Sequence, residues 1–208
     1  MAARQQTLQE SRRAFTHARL VDAARDAFET KGYVDTTVDD ITARAGASRA
    51  TFYLYFPSKA ALYDDVSAEI AEDYAVLKEN FRQLKSPRTL TDLEDWLRSY
   101  VELIRKRRPL VRALLQAEAV EPELTHLRVQ TILHHADWWV EEGIVPKPAS
   151  DDPEWAVRQL MLGLQVQAFV KVWIIDEFAV DDDVAIRLLA DTWYEQLYNK
   201  KPRRPSLR

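Results

Sequence analysis

The sequence predicts an all-α protein, with an N-terminal three-helix helix-turn-helix domain followed by a larger helical bundle. Apolar residues recur at helical spacing along most of the 208-residue chain, and prolines separate the periodic stretches. The 4 glycines are too few for a turn-dense β protein. We expect the helix-turn-helix domain at 1–62, with a flexible basic arm over 1–14, and the bundle at 63–208.

The first helix is predicted over roughly 15–31 from a single apolar stripe. Gly32 directly follows the cationic Lys31 and is a typical helix stop. The preceding basic arm either enters a DNA minor groove or forms a solvated tail. The members of the stripe follow the i, i+3, i+4, i+7 pattern of one helix face: Leu20, Ala23, Ala24, Ala27 and Phe28.

The second helix is predicted to begin after Thr37 and to end at Gly46. Thr37 is a good N-cap, and Asp40, three residues later, resembles the second member of a capping box. A short turn around Gly46 leads to a third short helix. Two short helices joined in this way form the helix-turn-helix arrangement.

The third helix, 49–56, is predicted from the Ser48 cap and from Pro57, which disfavours helical geometry in the residue before it. Phe52 and Phe56 are four residues apart and therefore lie on one face, which we expect to be buried. The opposite side is polar and is typical of a recognition helix, whose first turn meets base edges. The expected DNA contacts of this region are Thr37, Ser48, Arg49, Ala50, Thr51, Tyr53, Tyr55 and Lys59.

These side chains suit different parts of a duplex. Arg49 can pair bidentately with guanine, Thr51 can bond a base or a phosphate, and a tyrosine hydroxyl can bond a phosphate oxygen. Ala50 is small and allows close approach of the backbone. Lys59, at the start of a fourth helix, suits an anionic backbone oxygen. The alternative is a structural subdomain of four helices with an exposed aromatic cluster.

Residues 15–63 resemble the TetR family of bacterial transcriptional regulators. The matching stretch is "AARDAFETKGYVDTTVDDITARAGASRATFYLYFPSKAAL". The resemblance implies an all-helical homodimer that binds a palindromic operator, and it places the family's DNA contacts on the residues given above except Ser48. Ala50 is a small departure, because glycine or another small residue is common at that position.

The helices predicted at about 154–177 and 181–200 are expected to form a homodimer contact. The first is apolar nearly all the way round, so that both of its faces need cover. A core on one side and a second subunit on the other would supply it, in a two-fold four-helix contact. The resemblance implies the same arrangement.

The middle helices are expected to hold a small-molecule effector, since the family usually has a ligand cavity there. A pocket of aromatic side chains with a few polar groups suits a flat or apolar molecule. The alternative is ordinary core packing. The candidate lining residues are Trp96, Tyr100, Trp138, Gln165 and Trp173.

The composition argues against several other functions. Without cysteine the chain has no zinc-cysteine site and no thiol nucleophile, which fits a reducing cytoplasm. The one Glu-x-x-His, Glu123 to His126, has no second copy for a di-iron site. We expect no catalytic residue, metal or cofactor. The most apolar window, 160–175, is too short and too polar for a membrane span.

The sequence thus favours a dimeric, effector-released DNA-binding repressor in the cytoplasm. The net charge of −4 argues against a nucleic-acid-binding protein. A small basic face on an acidic protein is nevertheless sufficient to bind DNA. The rival interpretation is a helical module that binds another protein and has no specific DNA target.

Overall fold

The computed structural model describes residues 2–84, 89–124, 126–127, 130, 157, 161, 164–165 and 168–198. Side chains are described from residue 9 to residue 195 within these ranges. Trp138 and 10 of the 24 residues of the helix predicted over 154–177 lie outside the described residues. Every regular element within the described residues is helical, as the sequence predicts.

The helices are named here in chain order. They are α1 (Ala2–Lys31), α2 (Val38–Ala45), α3 (Arg49–Tyr55), a 3-10 turn (Ala60–Leu62), α4 (Tyr63–Arg82), α5 (Leu90–Lys106), α6 (Arg108–Val120), a π-helical turn (Lys171–Ile175) and α7 (Asp182–Tyr198).

Helix α1 begins much earlier than the apolar stripe predicts. It starts at Ala2 instead of near residue 15, so the arm expected to be flexible is helical. Residues 9–15 are exposed, and an exposed turn leaves no apolar pattern to detect. The segment nevertheless contains good helix formers and neither glycine nor proline, which explains why the helix continues.

The chain divides into two compact units. The first consists of Met1–Ala71 and Pro109–Thr125, and the second of Glu72–Arg108 and His126–Arg208. Helix α6 therefore groups with the N-terminal helices. The boundary at residue 62 remains a prediction about domain organisation.

The first unit has a core made by one face of each of its helices. Phe28 of α1, Ile41 of α2 and Phe52 of α3 are buried, and α6 contributes Leu110 and Ala113. The stripe predicted on α1 is buried along its length. Burial of these faces fixes α2 and α3 relative to α1.

The second unit has an aromatic core. Trp96 of α5 and Trp193 of α7 lie with ring centroids 5.7 Å apart, and Phe81 of α4 meets Trp96 edge-on at 5.7 Å. Thr89 caps α5 in a capping box with Asp92. Within the part of the chain that the structure describes, no helix is both long and apolar enough to cross a membrane.

Candidate nucleic-acid interface

The turn before α2 is built by local hydrogen bonds. Thr37 Oγ1 accepts from the Asp40 amide at 3.1 Å, and Asp40 Oδ2 accepts from the Thr37 amide at 2.9 Å. This is the predicted capping box. A hydrogen bond from Lys31, with those from Thr37, holds the pKa of Asp40 well below its usual range. Thr37 itself stays exposed at the start of α2.

Gly46 makes the turn between α2 and α3. Its backbone is left-handed, with φ 59° and ψ 39°, a conformation that side chains with a Cβ rarely adopt. Its amide closes the end of α2 by donating to the carbonyl of Ala43 at 3.3 Å. The Arg19 guanidinium of α1 bonds the carbonyl of Ala45 at the same corner. The angle between the two helices is therefore fixed by backbone contacts.

Helix α3 buries one face and exposes the other. Phe52 and Phe56 are buried, with ring centroids 5.8 Å apart. Tyr53 is 47% exposed and leans its ring edge-on against Phe52 at 5.3 Å. Leu54 is 77% exposed on the side away from the core. The two-faced helix predicted from the spacing of the aromatics is present.

The first turn of α3 is capped by Ser48. Its Oγ accepts from the Thr51 amide at 3.0 Å and lies 2.9 Å from Thr51 Oγ1. Ala50 is exposed between them, and Thr51 is half-buried. The hydroxyl of Thr51 therefore lies at the surface beside the cap, where a base or phosphate could reach it.

Arg49 is exposed and is paired with a carboxylate of α2. Its Nη1 donates to both oxygens of Asp39, at 3.1 and 2.9 Å, while its Nη2 lies 3.4 Å from the Tyr53 hydroxyl. The hydrogen bond to Tyr53 and the nearby charge of Asp39 raise the pKa of Arg49. The pairing with Asp39 was not predicted, because it joins residues of two different helices.

Tyr55 is half-buried against α1. The Arg13 guanidinium lies 6.0 Å from its ring centroid, and the His17 ring lies 6.3 Å away. A tyrosine packed at its edge in this way keeps its polar end near the surface. Its role as a DNA contact stays a prediction.

Lys59 has a structural role that the sequence did not reveal. Its Nζ donates to the carbonyls of Tyr33 and Thr36, at 2.7 and 2.9 Å, and lies 4.0 Å from the Tyr33 ring centroid. Desolvation by burial lowers the pKa of Lys59. An ammonium carries three donors, so one remains for a phosphate oxygen. Lys59 thus closes the turn between α1 and α2, and its phosphate contact stays a prediction.

Helix α6 supports the same turn. The Tyr33 amide donates to Gln116 Oε1 at 2.9 Å, and the Tyr33 hydroxyl donates to Glu121 Oε1 at 2.6 Å. A Cβ built on Gly32 would lie 2.7 Å from Gln116 Oε1, so glycine permits this approach. Burial raises the pKa of the Tyr33 phenol. These contacts join residues more than 80 positions apart, and no local pattern predicts them.

Helix α6 also holds the start of α4. The Tyr63 hydroxyl donates to Glu118 Oε1 at 2.5 Å. Burial raises the pKa of the Tyr63 phenol. Through Tyr33 and Tyr63, α6 therefore contacts both ends of the segment that carries α2 and α3.

The effector candidates are spread within the second unit. Trp96 and Tyr100 stack one turn apart on α5, with centroids 5.7 Å apart and planes 2° apart, and burial raises the pKa of Tyr100 to about 12. Trp173 is buried and donates from Nε1 to Asp182 at 3.2 Å. Gln165 is exposed. Trp138 lies outside the described residues.

The described residues contain no cluster of metal-ligating side chains.

Trp173 lies at a different level of α5 from Trp96 and Tyr100. Its ring centroid is 5.5 Å from the guanidinium of Arg105, and Arg105 is nine residues beyond Trp96 on α5. At 1.5 Å per residue this is about 13 Å along the helix. The geometry therefore brings Trp96 and Tyr100 together and places Trp173 at another level. The effector role of all five candidates stays a prediction.

Residues 20–66 match the family described as "Bacterial regulatory proteins, tetR family". This segment runs from the buried stripe of α1 through α2 and α3 into α4. Over these residues the chain is similar to the TetR family of regulators. Its α1–α3 segment has the helix-turn-helix arrangement.

Curated relatives match the chain over short stretches. The transcriptional regulator EthR of Mycolicibacterium smegmatis is 47% identical over 45 residues, which cover 22% of this chain and 21% of EthR. The regulator RutR of Escherichia coli is 31% identical over 86 residues, 41% of this chain and 40% of RutR. The match thus spans between about a fifth and two fifths of these relatives.

The fold likeness extends further than the sequence likeness. A TetR-family transcriptional regulator from Streptomyces coelicolor superposes with a TM-score of 0.65 at 16% identity, covering 88% of this chain and 80% of that one. At this identity the comparison supports the all-helical TetR fold of the chain.

Proposed function

We propose that this chain is a cytoplasmic transcriptional repressor of the TetR type that binds a palindromic operator as a homodimer. The observation that carries DNA binding is the division of α3 between a buried face, with Phe52 and Phe56, and a surface with Arg49 and Tyr53. A helix held in this way can enter a major groove while its fold stays intact.

The exposed side chains divide the work of recognition. Arg49 donates to a guanine edge, and Thr51 bonds a base or phosphate beside it. Tyr53 and Tyr55 donate to phosphate oxygens, which fix the position of the helix on the duplex. The exposed start of α2 at Thr37 offers amide groups to another phosphate.

The homodimer contact uses the helices predicted at about 154–177 and 181–200. Several large apolar side chains of these segments are exposed in the single chain, among them Met161, Val172 and Leu188, the last at 56%. Exposed apolar side chains on these segments support a subunit interface there. A two-fold axis through it would set the two α3 helices about 34–36 Å apart.

The effector is a small apolar or aromatic molecule that binds in the second unit. The stacked pair of Trp96 and Tyr100 supports an aromatic-lined site. Such an effector releases DNA only through its differential affinity for two conformations, typically worth about 1–3 kcal/mol.

The test is gel retardation of duplex DNA from around the protein's own gene, at two salt concentrations. Arg49→Ala should weaken specific binding by about 1–3 kcal/mol and relax the sequence preference. Arg82→Ala removes an exposed arginine of α4 that pairs with Glu79 at 2.9 Å. This charge-matched control should bind as the unchanged protein does.

Two outcomes would contradict the proposal. Equal retardation of the native duplex and of a scrambled duplex at low salt would favour a helical module whose partner is another protein. Equal losses from Arg49→Ala and Arg82→Ala would assign binding to overall charge and not to α3.

A further inference from the structure

We infer that Asp39 is a specificity-determining residue, which holds the Arg49 guanidinium ready to read a guanine. This inference rests on the proposed function, since it concerns the same DNA-binding surface. It adds an acidic residue of α2 to a set of expected contacts that otherwise comes mainly from α3.

The contact uses only one nitrogen of the guanidinium. Nη1 of Arg49 donates to Oδ1 and Oδ2 of Asp39, at 3.1 and 2.9 Å. Nη2 lies 3.4 Å from the Tyr53 hydroxyl, and the guanidinium lies 6.0 Å from the Tyr53 ring centroid. Within the residues that the structure describes, Nε of Arg49 donates to no protein group.

The Nε–Nη2 edge of the Arg49 guanidinium can form two hydrogen bonds with guanine. A guanidinium has five N–H donors in a fixed plane, and the Nε–H and one Nη2–H point in parallel from one side. Guanine presents two acceptors, N7 and O6, that accept such a parallel pair in the major groove. Asp39 can therefore keep its bond to Nη1 while the other edge of Arg49 reads the base.

The ion pair of Asp39 and Arg49 contributes little to the stability of the fold. Both side chains are more than half exposed, and exposed ion pairs contribute little to folding. The carboxylate also lies on a surface proposed to meet phosphates, where it opposes binding to DNA of any sequence. Its effect is thus selective, because it orders Arg49 for the correct base and disfavours non-specific contact.

The experiment compares affinities for two duplexes, one enriched from a random pool by the unchanged protein and one scrambled. Asp39→Asn keeps the size of the side chain and removes its charge. It should lower the ratio of specific to non-specific affinity about tenfold. The Arg49 side chain would be less ordered for the base, and the loss of a negative charge would strengthen non-specific binding. Asp39→Glu should restore most of the ratio.

Two controls separate positioning from a general charge effect. Glu29→Gln removes an exposed carboxylate of α1 and should leave the ratio unchanged. In an Arg49→Ala background, Asp39→Asn should cause no further loss of guanine preference, because the residue acts through Arg49. Thermal stability of Asp39→Asn should equal that of the unchanged protein.

Three results would overturn the inference. An unchanged ratio for Asp39→Asn, with a motif clearly enriched by the unchanged protein, would refute the role of Asp39 alone. If Asp39→Asn raises specific affinity more than non-specific affinity, then Asp39 inhibits base recognition by Arg49. Failure of the unchanged protein to enrich any motif would overturn the proposed function as well.

Discussion

Replacing Lys59 with methionine removes one ammonium group and keeps the length of the side chain. In the structure that ammonium donates to the carbonyls of Tyr33 and Thr36, at 2.7 and 2.9 Å, and lies over the Tyr33 ring. These contacts close the turn between α1 and α2. We therefore expect Lys59→Met to weaken the first unit as well as DNA binding.

The magnitude follows from the contacts. A hydrogen bond from a charged donor contributes about 1.5–3 kcal/mol net, and Lys59 is half-exposed, so the low end applies to each of the two bonds. Water can solvate part of what the lysine leaves behind, which offsets some of the loss. The expected decrease in the free energy of unfolding of the first unit is about 2–3 kcal/mol.

The assay is urea denaturation followed by two signals. All 6 tryptophans of the chain lie at residue 96 or beyond, so tryptophan fluorescence reports on the second unit. Far-UV circular dichroism reports on all helices, and amide hydrogen exchange of the Gly32–Thr36 turn localises the change. Lys171→Met, which removes an exposed lysine paired with Asp176 at 2.7 Å in the second unit, is the matched control.

The refuting result is a specific one. If Lys59→Met leaves circular dichroism melting and hydrogen exchange of the turn unchanged, and only lowers the salt slope of DNA binding by about one phosphate contact, then Lys59 is a phosphate contact alone. The structural role assigned to it would then be wrong.

Two further predictions concern α3 and α2. Phe52→Ala should lower the free energy of unfolding by about 3–5 kcal/mol, because removal of a fully buried ring leaves a cavity. Leu54→Ala, at an exposed position, should change it by less than about 0.5 kcal/mol. Equal effects of the two variants in thermal melts would contradict the two-faced helix. The pKa of Asp40 lies below its value of about 3.9 in an unfolded chain, so its stabilising effect is present above about pH 4 and is lost as the pH falls towards the lowered pKa. Asp40→Asn should therefore flatten the fall of melting temperature with decreasing pH in that acid range, and an unchanged slope would count against the bonds of Asp40 to Lys31 and Thr37 as its cause.

Local rules explain which features could be predicted from the sequence. The capping box at Thr37, the left-handed Gly46 and the two faces of α3 depend on residues within one or two turns of each other. The predicted start of α1, near residue 15, was wrong, because the exposed end of a helix has no apolar stripe. Composition alone does not show where such a helix begins.

Other features depend on contacts between distant residues. The bonds of Lys59 to the α1–α2 turn and of Gln116 to Tyr33 join separate helices, so that no spacing in the sequence predicts them. The pairing of Arg49 with Asp39 crosses from α3 to α2 in the same way. The contacts of Lys59 and Arg49 add a structural partner to residues that the sequence had assigned from their type alone.

Hydroxyl-radical footprinting of the side chains tests the central claim most directly. Tyr53, 47% exposed on α3, should lose reactivity when a duplex that the protein retards is added. Phe178, 64% exposed in the second unit, should keep its reactivity in the same sample. Undiminished oxidation of Tyr53 in the DNA complex would contradict the assignment of this face of α3 to DNA.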